Sequence, residues 1–160
     1  MKFLYLASCP HTGLMCRKYD PATRKYNVAQ KPGTDVQILV DDSRTIEEVQ
    51  KDFSDEYPFL KIEFISMVKK GAVASPKAEI IPKNKKLSAI RDKHVSGTVS
   101  IEPDCTVKDL LDTLENEYGL HARVYRKFGN MWIETGLTSH WSLSLQNTEG
   151  YEISEAFAKK

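Results

Sequence analysis

The sequence predicts an α+β protein that contains two copies of one strand–helix–strand unit, in residues 34–66 and 96–127. Three observations support this prediction. Apolar positions coincide when the sequence is shifted by 61 residues, a threonine begins each predicted helix, and a helix-breaking residue ends each one. The matched pairs are Ile38 with Val99, Val40 with Ile101, Thr45 with Thr106, Val49 with Leu110, Phe53 with Leu114, Tyr57 with Tyr118 and Pro58 with Gly119.

The composition is that of an ordinary globular protein. The 160 residues are 41% apolar and 28% charged, and the formal net charge is +1. A nearly neutral chain has no overall field that attracts nucleic acid or an anionic membrane, so any such binding has to come from a local cluster. Three cysteines indicate no disulfide framework, and no apolar run approaches the roughly 18 residues of a membrane span. We therefore expect a cytoplasmic protein with no membrane partner.

Each unit is predicted from the spacing of its residues. In the first unit, Val36, Ile38 and Val40 alternate as in a half-buried strand. Thr45 and Glu48 then have the spacing of a capping box, which predicts a helix that Pro58 ends. A second strand is expected over 60–65. Residues 1–33 are expected to form a hairpin or a loosely attached cap, with a turn at 19–22.

The second domain, 96–150, combines the second unit with a tryptophan-bearing hairpin. Thr106 and Asp109 predict the start of its helix, and a second strand is expected over 121–126. A tight turn at Gly129 leads into a strand over 131–135. Residues 138–147 fit either a strand or a short helix, and we expect 151–160 to be a C-terminal tail.

The connector between the units, residues 67–95, is basic and is broken by Gly71, Pro76 and Pro82. We expect a partly ordered segment rather than a helix. Two adjacent strand–helix–strand units predict a ferredoxin-like antiparallel sheet with both helices on one face. The alternative is a pair of β-grasp, ubiquitin-like units, because residues 99–107 are similar to the strand-then-helix opening of that fold.

Catalytic, metal and cofactor sites are not expected. Cys9, His11 and Cys16 lack the paired spacing of a zinc site. A nucleophilic pair of Cys105 with His121 or His140 has no supporting motif, since Cys105 directly precedes a helix cap. The glycines occur singly and form no phosphate-binding loop. An uncharacterised enzyme remains only as a second alternative.

Aromatic and amide side chains concentrate near the C-terminal end of the second domain. Tryptophan combines a large apolar area with one N–H donor, which favours interface positions. We therefore predict an interaction surface for a protein partner or for self-association. Its residues are Trp132, Glu134, Thr135, Trp141, Gln146 and Asn147.

A nucleic-acid interface is the alternative prediction. Cations alternate with Tyr125, Phe128 and Trp132, which is the local chemistry for phosphate contacts and base stacking. The third predicted strand, 97–102, carries no aromatic residue and so departs from RNA-recognition domains. The candidate contacts are Lys83, Lys85, Lys86, Arg91, Lys93, Arg123, Arg126 and Lys127.

Residues 87–91, 97–102 and 128–135, with Trp141, Gln146 and Asn147, resemble a group of small bacterial proteins without an assigned activity. The resemblance covers about residues 87–150. That group leads us to expect an acidic residue near 139–140, where this chain has Ser139 and His140. The resemblance implies a bacterial accessory protein and transfers no catalytic residue. We expect a non-enzymatic interaction or accessory module.

Overall fold

The computed structural model describes residues 17–20, 25–28, 36–68 and 77–159, in which helices and antiparallel strands confirm the α+β class. The helices are α1 (Ile46–Glu56), α2 (Val107–Tyr118) and α3 (Leu143–Ala158), with short 3-10 helices at Leu87–Ala89 and Gly136–Thr138. The strands are β1 (Arg17–Asp20), β2 (Lys25–Val28), β3 (Gln37–Val40), β4 (Leu60–Val68), β5 (Lys77–Ile80), β6 (Gly97–Ser100), β7 (Ala122–Phe128) and β8 (Met131–Glu134).

Helices α1 and α2 begin and end where the sequence predicts. The Thr45 hydroxyl accepts from Glu48 N, and the Glu48 carboxylate accepts from Thr45 N at 2.7 Å, which completes a capping box. Thr106 accepts from Asp109 N at 3.0 Å. Helix α2 ends at Gly119, whose φ of 65° is a left-handed conformation that glycine adopts without strain. The matched apolar residues of the two helical segments are all buried in the core, namely Val49, Phe53, Tyr57, Leu110, Leu114 and Tyr118.

The two copies pair with each other through equivalent strands. In the β3–β6 ladder Ile38 lies opposite Val99, its counterpart at an offset of 61 residues. In the β4–β7 ladder Ile62 lies opposite Val124, an offset of 62. Antiparallel pairing of equivalent strands about equivalent residues is what a local two-fold axis produces. The four-stranded sheet has the order β5-β4-β7-β8, so β5 and β8 occupy equivalent outer positions.

These ladders do not form the predicted ferredoxin-like sheet. That arrangement requires the first and second strands of each unit to lie in one sheet. Here β3 and β6 form a two-stranded ladder of their own, whereas β4 and β7 lie in a separate four-stranded sheet. Among the described strands, neither β3 nor β6 has the preceding partner strand that the β-grasp alternative requires. Both ladders contribute to one core together with the helices.

The repeat extends beyond the predicted units into the segments that follow β5 and β8. Helix α1 donates from Ile46 N to Lys85 O at 2.9 Å and from Glu47 N to Lys83 O at 3.0 Å. Helix α2 donates in the same way from Val107 N to Trp141 O at 3.2 Å and from Lys108 N to Ser139 O at 2.8 Å. These carbonyls satisfy N–H groups that the first turn of a helix leaves without partners.

The structure gives more detail than the prediction in three segments. The basic connector contains strand β5 and a 3-10 helix, so its described part is ordered. Residues 143–158 form α3, capped by the Ser142 hydroxyl, so the ambiguous segment is helical from Leu143 onwards and the predicted tail is mostly helix. Within residues 1–33, β1 pairs antiparallel with β2, and β2 contacts α3. The predicted turn at 19–22 lies partly outside the described residues.

A cluster of carboxylates joins the loop after β3 to the segment before β6. Asp42 Oδ1 accepts from both Nε and Nη2 of Arg91, at 2.8 and 2.6 Å, and the Arg91 side chain is fully buried. Asp41 accepts from the Ser43 hydroxyl at 2.6 Å and from the Ser96 hydroxyl at 2.7 Å. Hydrogen bonds from Ser43 and then Ser96 lower the pKa of Asp41 from 3.8 to about 2.

This cluster predicts an acid-dependent loss of stability. Because the folded pKa of Asp41 is depressed, its contribution is complete above the unfolded pKa of about 3.9 and is lost as the pH falls towards 2. An NMR titration of the Asp41 carboxyl should therefore give a pKa near 2. Ser43→Ala should raise this pKa most and Ser96→Ala less, while an Asp41 pKa near 3.9 in the unsubstituted protein would refute these hydrogen bonds.

Candidate functional site

The β7–β8 hairpin and the adjacent strand β4 place an aromatic and charged surface on one face of the sheet. Lys61, Tyr125 and Glu134 lie side by side across the three strands. Trp132 lies opposite Lys127 and shares this face with Glu134, since alternate residues of a strand point to the same side. We call this set of five residues the Trp132 face.

Cations contact the rings of the Trp132 face. Lys61 Nζ lies 5.0 Å from the ring centroid of Tyr125 and 5.4 Å from that of Trp132. Lys61 also pairs with Glu63 at 3.1 Å, and Arg123 pairs with Glu134 at 3.2 Å. Glu63 is buried, whereas the Arg123–Glu134 pair is exposed, and an exposed ion pair stabilises a fold weakly.

Strand β8 is an outer strand that carries exposed apolar side chains. Its only partner among the described strands is β7. Trp132 is 40% exposed and Met131 63%, and Leu137, three residues after the strand, is 97% exposed. Unpaired N–H and C=O groups along such a strand are a template for another strand. Large apolar side chains beside that template are typical of an interaction site.

The other residues of the predicted interaction surface are structural. Thr135 is buried and donates to Val124 O at 2.9 Å. Gln146 is buried, accepts from Arg126 at 2.8 Å and donates to Thr138 O at 2.7 Å, and Asn147 accepts from Phe59 N at 2.9 Å. The structure therefore separates Trp132 and Glu134 from Thr135, which bonds to β7, and from Gln146 and Asn147, which connect α3 to the sheet and to Phe59.

Arg126 and Trp141 belong to the same support for α3. The guanidinium of Arg126 lies 5.5 Å from the Trp141 ring centroid, and Trp141 is only partly exposed. The half-buried environment of this pair suits a packing contact, because a cation near an aromatic face is stabilised most where water is excluded. Arg123 is the other arginine in this region that was predicted to contact nucleic acid. It lies beside the Trp132 face, where it forms an ion pair with Glu134.

The predicted cations of the connector occupy different environments. The side chains of Lys83, Lys85 and Lys86 are exposed. These residues lie near the start of α1, because the backbone carbonyls of Lys83 and Lys85 accept hydrogen bonds from the first turn of that helix. Lys93 Nζ donates to Asn116 O at 2.5 Å. The buried side chain of Arg91 forms an ion pair with Asp42. In the connector, Lys83, Lys85 and Lys86 are therefore the exposed lysines near the start of α1.

Cys105 has the environment of a packing residue. It is half-buried and donates from Sγ to Thr106 O at 3.5 Å. Burial raises the pKa of the thiol, and the nearby carboxylates of Asp109 and Glu102 raise it further. A raised pKa disfavours the thiolate, which is the nucleophilic form. No group of three metal-ligating side chains occurs in the described residues, and Cys9, His11 and Cys16 lie outside them.

A groove of about 800 Å³ beside β5 was not predicted from the sequence. Its lining comes from β4, β5, residues 81–94 and His121. The lining combines the apolar side chains of Ile65, Met67, Ile80 and Ile90 with the charged side chains of Glu79, Lys85, Arg91 and Asp92. We call it the β5 groove. The sequence did not indicate this groove, because β5, which forms one of its walls, lies in the segment 67–95 that was predicted to be a connector.

Comparisons with protein-family models, with curated proteins and with solved structures found no match for this chain. No helix in the described part of the chain has both the length and the apolar character to cross a bilayer.

Close packing of α3 makes a testable prediction at Gly150. A Cβ atom there would lie 2.9 Å from Phe59 Cβ and 3.1 Å from Phe59 O. Alanine favours an isolated helix over glycine by about 1 kcal/mol, but overpacking typically costs about 1–3 kcal/mol. We expect Gly150→Ala to lower the free energy of unfolding in urea by about 1 kcal/mol.

The matched control is Gly136→Ala, where a Cβ atom would have its nearest neighbour at 3.8 Å. This substitution should change stability little. A more stable Gly150→Ala variant would show that α3 does not approach Phe59 this closely.

Proposed function

We propose that the chain is a non-enzymatic interaction module that self-associates through strand β8 and the Trp132 face. The observation that carries the proposal is a strand edge with no partner among the strands that the structure describes, whose own residues, Met131 and Trp132, are large, apolar and exposed. Burying a tryptophan contributes more to an interface than almost any other side chain. Pairing along the edge fixes the orientation that apolar contact alone leaves undefined.

A second copy of the chain is the occupant that fits this surface. The face carries both signs of charge, because Lys61 and Lys127 lie on it with Glu134, and Glu134 pairs with the neighbouring Arg123. When two copies of such a surface pair about a two-fold axis, a positive group of one copy can lie opposite a negative group of the other, as in an isologous dimer. Antiparallel pairing of β8 with β8 of the second copy would extend the four-stranded sheet to eight strands.

The hydrogen-bond pattern shows which groups of β8 face outwards. Thr135 N donates to Val124 O at 3.0 Å. Because the backbone groups of successive residues in a strand point alternately to its two edges, those of Ile133 and Met131 also point towards β7. The backbone groups of Trp132 and Glu134 therefore point to the open edge. A proline at 134 removes an outward N–H without removing a bond to β7.

Sedimentation velocity tests the proposal with three variants. The unsubstituted chain should show a concentration-dependent dimer. Trp132→Ala and Glu134→Pro should each raise the dimer dissociation constant by about 10-fold or more, since one removes the apolar anchor and the other an edge donor. Glu134→Ala, the matched control, removes the carboxylate alone and should change the constant by only about 2-fold.

A chain that remains monomeric at high concentration would contradict the proposal, as would equal effects of Glu134→Pro and Glu134→Ala. Circular dichroism checks that the variants keep the fold, and substitution on an outer strand is expected to preserve it.

A nucleic-acid interface on the Trp132 face is the second candidate. Lys61 and Lys127 flank exposed Trp132 and partly exposed Tyr125 on an open sheet, which is the arrangement of a base-stacking platform. Retention on single-stranded oligonucleotide that falls steeply with salt would favour this function. Loss of retention in Trp132→Ala, with no change in the sedimentation of the free chain, would assign the face to nucleic acid.

A further inference from the structure

A cavity of about 240 Å³ lies between α2 and the sheet, beside the end of β8. We call it the α2 cavity. Pockets that take drug-sized ligands have volumes of roughly 300–1,000 Å³, so this cavity suits a smaller molecule. Two charged side chains, Arg123 and Glu134, belong to its lining. The apolar part of the lining is Ile65, Val107, Leu111, Ala122 and Val124.

The first repeat has larger or hydrogen-bonded side chains at the equivalent positions. Leu60 corresponds to Ala122 at the offset of 62 residues that relates the central strands, and Gln50 corresponds to Leu111 at the offset of 61. Leu60 is fully buried, and buried Gln50 donates from Nε2 to Ile62 O at 2.8 Å. In the second repeat, Ala122 has a shorter side chain and Leu111 has no polar group. We therefore attribute the α2 cavity to positions at which the two copies differ.

Two opposite charges lie where the α2 cavity meets the solvent. Arg123 Nη1 contacts Glu134 Oε2 at 3.2 Å, and the side chains are 38% and 45% exposed. An exposed ion pair contributes little to stability, so its members can move apart when each gains a new partner. A guanidinium has five N–H donors, so Arg123 can bind a second carboxylate in a bidentate manner.

The apolar lining and the paired charges together define one class of ligand. Apolar walls favour a hydrocarbon side chain, because its burial removes apolar surface from water. A ligand with one charge would bring that charge close to a like charge of Arg123 or Glu134, which disfavours its binding. A zwitterion avoids this repulsion. In an α-amino acid the ammonium and carboxylate groups are attached to the same carbon, so they match two protein charges that lie side by side.

We infer that the α2 cavity binds a free α-amino acid with an apolar side chain. The carboxylate of the ligand binds Arg123, its ammonium group binds Glu134, and its side chain lies against the apolar lining. Ligand binding here is a function beyond self-association through β8. It does not depend on that interface, because the exposed anchor Trp132 is not part of the cavity lining.

The probe is L-leucine, titrated into the intact isotope-labelled chain and followed by NMR. The induced shifts should map to Leu111, Ala122 and Arg123, which line the cavity. Three analogues each remove one part of the ligand. Isocaproate lacks the ammonium group, isoamylamine lacks the carboxylate, and L-asparagine has a similar shape with a polar side chain. Each analogue should bind about 10-fold or more weakly, because it leaves a charge without a partner or buries a polar group.

Ala122→Leu places in the cavity the side chain that the first repeat has at the equivalent position. It should raise the dissociation constant for L-leucine by about 10-fold or more, because the added atoms occupy the binding space. Ala78→Leu is the matched control, since Ala78 is a partly exposed alanine on β5 that is not part of the lining. This control should change the constant by less than about 2-fold, as expected for a distant site.

Arg123→Gln tests the charge that binds the ligand carboxylate. It should raise the dissociation constant by about 10-fold or more, because a bidentate contact with a guanidinium is lost. Lys127→Gln removes a cation from the same strand outside the cavity lining. It should change the constant by less than about 2-fold, since salt screens an exposed charge at a distance.

Absence of shifts at the cavity residues on addition of L-leucine would overturn the inference, as would unchanged binding in Ala122→Leu. Isocaproate that binds as tightly as L-leucine would also overturn it, because Glu134 would then play no part in recognition. Trp132→Ala should leave binding of L-leucine unchanged, so the α2 cavity and the β8 interface can fail independently.

Discussion

The ladder between β4 and β7 is the contact on which the rest of the structure depends. Its backbone hydrogen bonds join the second strands of the two copies, and Ile62 and Val124 are fully buried at its centre. Apolar burial of this kind is the main stabilising contribution to a core. With the central strands joined, β5 and β8 occupy the outer positions, and α1 and α2 lie on the core with matching stripes. The β3–β6 ladder repeats the pairing of equivalent strands in a separate two-stranded sheet.

Function is expected where the two copies differ. Strands β5 and β8 are equivalent, with Ile80 opposite Ile65 and Trp132 opposite Lys127. The first repeat pairs this outer strand with an open groove, whereas the second fills the equivalent place with α3. The duplicated scaffold thus presents two dissimilar surfaces, a strand edge around Trp132 and a groove beside β5. The shared residues form the core, so we expect substitutions at the differing positions to leave the fold intact.

The sequence predicts the repeated units because their signals are local. Capping by Thr45 and Thr106, termination at Pro58 and Gly119 and the turn at Gly129 each depend on neighbours within a few residues. Strand pairing depends on residues far apart, so the self-pairing of equivalent strands was not foreseen and a ferredoxin-like sheet was predicted instead. Of the predicted interaction surface, Trp132 and Glu134 are exposed, whereas Gln146 is buried on α3. The alternating pattern of residues 141–145 did not distinguish this helix from a strand. The β5 groove had no sequence signal, because its walls come from four separate segments.

The most direct test of the paired repeat is an NMR measurement of the contact between the Hα protons of Ile62 and Val124. Hydrogen bonds from Lys127 to Phe59 and from Ile65 to His121 make Ile62 and Val124 a pair without mutual hydrogen bonds, whose Cα atoms lie about 4.5 Å apart. A strong cross-strand nuclear Overhauser effect between these two protons is the predicted result. Its absence, or an equally strong effect from Ile62 to Ala122 or Arg126, would show a different register and contradict the pairing of equivalent strands.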